Sequence, residues 1–180
     1  MNPPRAIGSA PSLIIILLAL AGLSTLPASA RQNNQSARVW MAPNQAHPRV
    51  GSFFSVFVRI SSSRDVGSVP FTVLFDPEIL EFVPSRSREG KFLLKDRSKV
   101  AFLAKSSKGP SGLTGVTVGL SRLRSDRGVS GRGILCKLTF RAKATGISRL
   151  DFARARVLGP TTLPLGSVFE GKKIIVRSSR

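Results

Sequence analysis

Past residue 36 the chain reads as a series of short strands separated by Gly, Pro and Ser. "SFFSVFVRI" (Ser52 to Ile60) puts Phe54, Val56, Val58 and Ile60 on one side and Ser55, Phe57 and Arg59 on the other. Alternation with a period of two marks a strand with one face buried. "SVPFTVLF" (Ser68 to Phe75) repeats the pattern, with Val69, Phe71, Val73 and Phe75 on one face and Ser68, Pro70, Thr72 and Leu74 on the other. "ILCKLTFRAKA" (Ile134 to Ala144) places Ile134, Cys136, Leu138 and Phe140 inward. Further strands are expected at "ARVWMA" (37–42), "EFV" (81–83), "KVAFLAK" (99–105), "GLTGVTVGLS" (112–121), "ISRLDFARARVL" (147–158) and "KKIIVRS" (172–178), with "KFLL" (91–94) pairing briefly. Breaks fall at "PNQAHPRVG" (43–51), "SSSRDVG" (61–67), "PSRSREGKFLLKDRS" (84–98), "SSKGPS" (106–111) and "RLRSDRGVSGRG" (122–133). About nine short strands and no amphipathic helix of ordinary length predict an all-β sandwich or barrel.

The first thirty residues have a different pattern. Arg5 precedes the uncharged run "LIIILLALAGLSTL" (Leu13 to Leu26), and "PASA" then supplies Ala28 and Ala30. This is the layout of a secretory signal peptide. The apolar run is about 14 residues, short of the roughly 20 that span a bilayer as a helix. Cleavage after Ala30 is therefore expected, and no Cys lies nearby to make a lipoprotein. No second long apolar run comes later, so no transmembrane segment is expected after cleavage, and the product is expected to be secreted or periplasmic. Residues 31–36 ("RQNNQS") form a polar leader, and 37–178 the domain. About 150 residues suit one domain that buries roughly 70% of its unfolded surface. Cys136 is the single cysteine, so the core must hold without an intramolecular disulfide.

The side-chain inventory argues against an enzyme. The chain has one His (His47, followed by Pro48) and no Tyr. A Ser-His-Asp or Cys-His arrangement has only that one candidate base. Zinc needs three or four His, Cys or carboxylate ligands, and the two soft ligands here are far apart. No GxxxxGK[ST] phosphate loop occurs. No catalytic residue, metal site or cofactor is expected.

Charge is the strongest compositional signal: 28 Lys and Arg stand against 9 Asp and Glu, a formal net charge of +19. The cations cluster in Arg86 to Arg97, Arg122 to Arg132 and Arg149 to Arg156. If these clusters are neighbours in the fold, they attract an anionic partner: an acidic protein module, an anionic polysaccharide or lipid headgroups. Nucleic acid is not expected, since no aromatic-interleaved basic motif is present. Three of the carboxylates crowd into "FDPEILEFV" (Phe75 to Val83). Asp76 before Pro77 has the chemistry of a helix start, Asp as N-cap and Pro at the first position, and Glu78 complements the dipole. The stretch is therefore expected to be one helical turn that returns Ile79 or Leu80 to the core, with Glu81 facing solvent. A calcium loop needs six or more oxygen ligands, usually at alternate positions.

The same nine residues carry a family resemblance. An aromatic strand end, then Asp-Pro-x-x-Leu, an acidic residue and "FV", resembles the bacterial cohesin domain. "VGSFFSVFVRI" (50–60), "GKFL" (90–93) and "VSGRGILCKLTFRAKATGISRLDF" (129–152) are similar to further cohesin segments, in the family's order. The resemblance covers most of Ala37 to Val176. It implies a nine-stranded jelly-roll β-sandwich, related in fold to some carbohydrate-binding modules. It also implies a non-catalytic module that binds a dockerin, a partner whose own loops hold calcium, and so attaches enzymes to a scaffold on polysaccharides.

The family's partner-binding face includes the strand that matches Ser68 to Phe75. Family members typically carry Asn and Asp where this chain has Ser68 and Pro70. The expected partner-binding residues are Ser68, Pro70, Thr72 and Leu74, with Leu103 and Lys105 on a neighbouring strand and Arg122 and Arg124 steering the encounter. The expected partner is a dockerin-like module or another envelope or secreted protein. Two alternatives are open: a carbohydrate-binding module using Trp40 and Phe57, and an accessory piece of an envelope or secretion assembly whose basic loops touch anionic lipid or acidic protein.

Overall fold

The computed structural model describes residues 36–123 and 127–179. The expected secretory segment at 1–30, most of the expected polar leader and Arg124 lie outside the described residues. The strands are β1 (Ala37–Pro43), β2 (Phe53–Val66), β3 (Phe71–Phe75), β4 (Leu80–Phe82), β5 (Arg88–Glu89), β6 (Val100–Lys108), β7 (Thr114–Arg122), β8 (Val129–Ala142), β9 (Gly146–Ala153), β10 (Val157–Leu158), β11 (Pro164–Leu165), β12 (Ser167–Glu170) and β13 (Lys172–Val176). Among the described residues, nine of these are four residues or longer, and the only helical segments are three single 3-10 turns.

The strands form two sheets. One runs β12-β1-β2-β8-β4, with β5 also on β8; the other runs β13-β9-β3-β7-β6, and β10 and β11 make a separate hairpin. Their inner faces share one hydrophobic core, as expected of a jelly-roll β-sandwich. Phe75 on β3 meets Phe140 on β8 edge to face with ring centroids 5.4 Å apart. Phe152 on β9 meets Phe169 on β12 at 5.1 Å. Such pairs add specificity of geometry to the area they bury.

Period two correctly assigns most core positions. Phe54, Val56, Val58 and Ile60 are buried on β2, and Val69, Phe71, Val73 and Phe75 on the approach to and along β3. Three expectations are corrected. "SSSRDVG" does not end the second strand: β2 continues to Val66, paired with β8 through Ser62 opposite Gly131 and Val66 opposite Val129. Ile134 does not point inward. A bulge lies where Val58 faces Cys136 but Arg59 faces Ile134, so Leu135 is the extra residue and is buried together with Cys136. A bulge of this kind shifts the alternation by one. "KFLL" does not pair as a strand; Arg88 and Glu89 pair with β8 instead, while Phe92 and Leu93 drop into the core. Glycine at 133 makes room for this, since a Cβ there would stand 2.9 Å from the Phe92 ring.

The acidic stretch is a turn. Asp76 Oδ1 accepts the Glu78 N–H at 2.9 Å, and the Asp76 carbonyl accepts the Leu80 N–H at 2.9 Å. The Asp76 N–H donates to the Ser148 hydroxyl, and Lys143 Nζ donates to the Pro77 carbonyl at 2.6 Å. Leu80 returns to the core and Glu81 is exposed, 3.9 Å from Arg141. Among the described residues no three His, Cys, Asp or Glu side chains converge.

Cys136 is fully buried, and loss of solvation pushes its thiol far above the ordinary range. The thiolate is the reactive form, so Cys136 should resist thiol reagents at mildly alkaline pH in the native protein and react only in denaturant. Rapid labelling under native conditions would contradict this burial.

Candidate docking face

The outward face of the β13-β9-β3-β7-β6 sheet is built by register. Thr72 on β3 lies opposite Thr117 on β7 and Ala153 on β9, and Leu74 lies opposite Gly115 and Asp151. On the far side of β7, Lys105 lies opposite Thr117, Leu103 opposite Gly119 and Ser107 opposite Gly115. Residues directly opposite alternate faces together, so these side chains share one surface. Thr72 and Thr117 hydroxyls are 3.3 Å apart. A shallow hollow of about 380 Å³ lies along this surface, bordered by Thr72, Leu74, Lys108, Gly115, Thr117 and Arg154.

Two glycines on β7 keep the floor low. A Cβ at Gly115 would stand 3.0 Å from Thr72 and 3.4 Å from Leu74. At Gly119 the nearest neighbour would be Leu103 Cβ at 3.9 Å. Glycine inside a strand often marks close approach by another group. Above this floor Leu103 is 63% exposed and Ile147, further along β9, is 55% exposed. Lys105, Lys108 and Arg154 are exposed around it, and Arg149 lies 3.6 Å from Asp151.

Six of the eight expected site residues fall on or beside this face. Thr72, Leu74, Leu103 and Lys105 are brought together. Ser68 lies at its end, bridged to both Ser121 and Leu158, with its hydroxyl spent on the Leu120 carbonyl at 2.9 Å. Pro70 is half-buried, its carbonyl accepting the Arg156 N–H. Thr117, Gly115, Gly119 and Ile147 belong to the same surface and are additions to the expected set. For the three β7 residues the signal is present in "TGVTVGLS", where Val116, Val118 and Leu120 claim the core and leave the alternate positions outside.

Arg122 is a correction. It is not displayed on this face: it is only 8% exposed, because it continues the inward series Val118 and Leu120. Its guanidinium donates to the Leu93 carbonyl at 3.2 Å, the Lys95 carbonyl at 3.4 Å and the Ser98 hydroxyl at 2.5 Å. It pins the 92–98 segment across the mouth of the sandwich.

Trp40 and Phe57 lie on the opposite sheet. Both face outward, half-buried, with Trp40 opposite Arg59 and Phe57 opposite Lys137. Arg38 stacks over Trp40 at 5.5 Å and grips Glu170 through two hydrogen bonds of 2.6 and 2.7 Å. That contact holds the Glu170 carboxyl below the usual carboxylate range.

The cohesin domain model matches residues 40–154. The chain belongs to the cohesin family. Cohesins are non-catalytic modules for protein–protein interaction. Among solved cohesins, the non-cellulosomal cohesin of the archaeon Archaeoglobus fulgidus is 18% identical, with a TM-score of 0.62 over 79% of this chain and 92% of its own. The Coh-OlpC–Doc435 type I cohesin–dockerin complex of Clostridium thermocellum matches at 13% identity and TM-score 0.63, over 80% of this chain and 95% of that one. The Coh3ScaB cohesin in a type II cohesin–X-dockerin complex of Acetivibrio cellulolyticus matches at 13% identity and TM-score 0.64, over 79% of this chain and all of that one. At these identities the likeness establishes the fold. No curated protein matches the chain.

Replacing Arg122 with Met leaves the Leu93 and Lys95 carbonyls without their cation. Losing charged hydrogen bonds from a buried position should cost about 3 kcal/mol in urea unfolding. A change under about 0.5 kcal/mol, the range of ordinary surface substitutions, would contradict the pinning role.

Proposed function

We propose that this cohesin is an exported docking module. It holds a second protein, a dockerin-like module or another secreted or envelope protein, against the outer face of β9, β3, β7 and β6. The observation that carries this is the conjunction of exposed Leu103 on the edge strand β6 with a glycine-lowered floor beside it on β7 and exposed Lys105, Lys108 and Arg154 at its border. An apolar centre with a polar rim is the common anatomy of a protein interface. Cohesins of the same fold are found in complexes with dockerins in Clostridium thermocellum and Acetivibrio cellulolyticus. Attachment of this kind serves polysaccharide degradation when the partner carries a hydrolase.

The face dictates the partner's surface. Ser68 and Pro70 offer neither an amide nor a carboxylate side chain, so a partner that reads such groups finds neither here. Leu74 and Leu103 call for an apolar patch, and Lys105, Lys108 and Arg154 for carboxylates around it. Long-range attraction between such charges raises the encounter rate more than the final affinity.

Wild-type chain immobilised on resin should capture its partner from the culture medium or envelope of the source cells. The double variant Leu74→Asp, Lys105→Glu should lose that capture by tenfold or more, a loss of about 1.4 kcal/mol or greater. Release by a calcium chelator would identify a dockerin-like partner. Undiminished capture by the double variant would remove the face assignment.

A further inference from the structure

We propose that the opposite face, the outer surface of β12, β1, β2 and β8, is a binding groove for a polyanionic polysaccharide bearing carboxylates or sulfates. This site is separate from the docking face and stands without it. Two adjoining hollows, of about 630 and 470 Å³, meet at Arg132, Gly133 and Ile134 and form one elongated trough.

Register sets out the trough in three rows. Across the first lie Val168, Arg38, Ser61 and Arg132; across the second Glu170, Trp40, Arg59 and Ile134. The third holds Ala42, Phe57, Lys137 and, on β5, Arg88. Neighbouring strands are about 4.8 Å apart, so Lys137 and Arg88 are one strand spacing apart, Arg38 and Arg132 two, and Arg59 lies diagonally between the latter pair. Lys91 and Lys95 border the same trough, and Lys95 Nζ donates to the Ser130 carbonyl at 3.1 Å. The basic stretches 86–97 and 122–132, separate in sequence, thus meet at one site.

Glu89 is the one carboxylate on the trough's walls, and Glu170 beside it is already bound by Arg38. Among the described residues no carboxylate pairs with Arg59, Arg88, Arg132 or Lys137. These cations are left for an anion from outside, and repeated charge in a trough selects a linear polyanion.

The floor selects its chemistry. Trp40 and Phe57 are diagonal neighbours on adjacent strands, with Ile134 beside them, all half-buried. An indole with a polar edge and an apolar face suits a sugar ring, whose faces are apolar and whose rim bears hydroxyls, and since Arg38 lies over the Trp40 ring at 5.5 Å, an anionic sugar seated there meets the guanidinium as well. A lipid surface would call for apolar side chains standing proud of the cations, whereas here they lie beneath them. An acidic peptide would bring backbone amides into the trough, yet the backbones of β1, β2 and β8 are already engaged in their ladders. A nucleic-acid strand would use a succession of stacking aromatics, and this floor offers one indole.

Calorimetry of the full chain against polygalacturonate, with neutral dextran and poly-L-glutamate for comparison, tests the site. Polygalacturonate should bind and dextran should not, and the affinity should fall as salt rises. Arg59→Gln combined with Arg132→Gln should weaken polygalacturonate about tenfold. Trp40→Ala should weaken polygalacturonate but not poly-L-glutamate, and Trp40→Phe should retain most binding. Thermal unfolding of each variant at the wild-type temperature separates lost binding from lost fold. Equal binding of both polyanions, with Trp40→Ala changing neither, would mean a merely basic surface and overturn the proposal. So would undiminished binding by the double arginine variant, or loss of polygalacturonate binding in Leu74→Asp, Lys105→Glu.

Discussion

The antiparallel ladder between β2 and β8 is the constraint that organises the whole domain. Two fourteen-residue strands pair from Phe53 opposite Arg141 to Val66 opposite Val129. Their inner side chains, Phe54, Val56, Val58 and Ile60 with Leu138 and Phe140, form one wall of the core. Everything else in that sheet is added to their edges: β1 and then β12 on one side, β4 and β5 on the other. The bulge at Leu135 is one of two irregularities in the ladder, the other lying between Ser62 and Val66, and it reverses the facing of the residues before it in β8. It turns Ile134 out to the basic trough and leaves Gly133 to admit Phe92. Burial of Leu135 and Cys136 together then fixes the register, because a slip would expose the whole apolar set.

The second sheet answers to this wall and carries the docking face on its other side. Each strand of it serves two surfaces. Val73 and Val118 are in the core while Thr72, Leu74, Thr117 and Gly119 look outward. The inner residues hold the sheet flat, and the outer ones are free to vary with the partner. This division explains how a chain only 13–18% identical to the solved cohesins described above keeps their fold. In our two proposals it also separates two tasks in one small domain, with a protein on one face and a charged glycan on the other.

Sequence pattern alone gives the architecture well and the site in part. Period two reveals the core faces of β2 and β3, because each has a dry side and a wet side throughout. "FDPEILEFV" is legible because the bonds that close its turn are local: Asp76 accepts the Glu78 N–H on its side chain and the Leu80 N–H on its carbonyl. The continuation of β2 through Ser63, Arg64 and Asp65 is not legible, since these exposed positions carry no alternation and fall in the irregularity between Ser62 and Val66, where pairing with β8 resumes. The bulge is hidden for a related reason, as it is defined by the partner strand. Charge alone makes Arg122 look like a loop cation. Its parity with Val118 and Leu120 points inward, and only the carbonyls of the 92–98 segment make that place tenable. The meeting of the basic stretches around Arg132 depends on tertiary contact and has no linear signature.

Whether a protein partner seats on the outer face of β3, β6 and β7 is open to a single decisive measurement: amide chemical-shift mapping of the isotope-labelled chain, titrated with its captured partner. Shifts should concentrate at Thr72, Leu74, Leu103, Lys105, Gly115, Thr117 and Gly119, with the amides around Trp40, Arg59 and Ile134 unmoved. Shifts centred on that second group, with the β3, β6 and β7 amides unchanged, would contradict docking at this face.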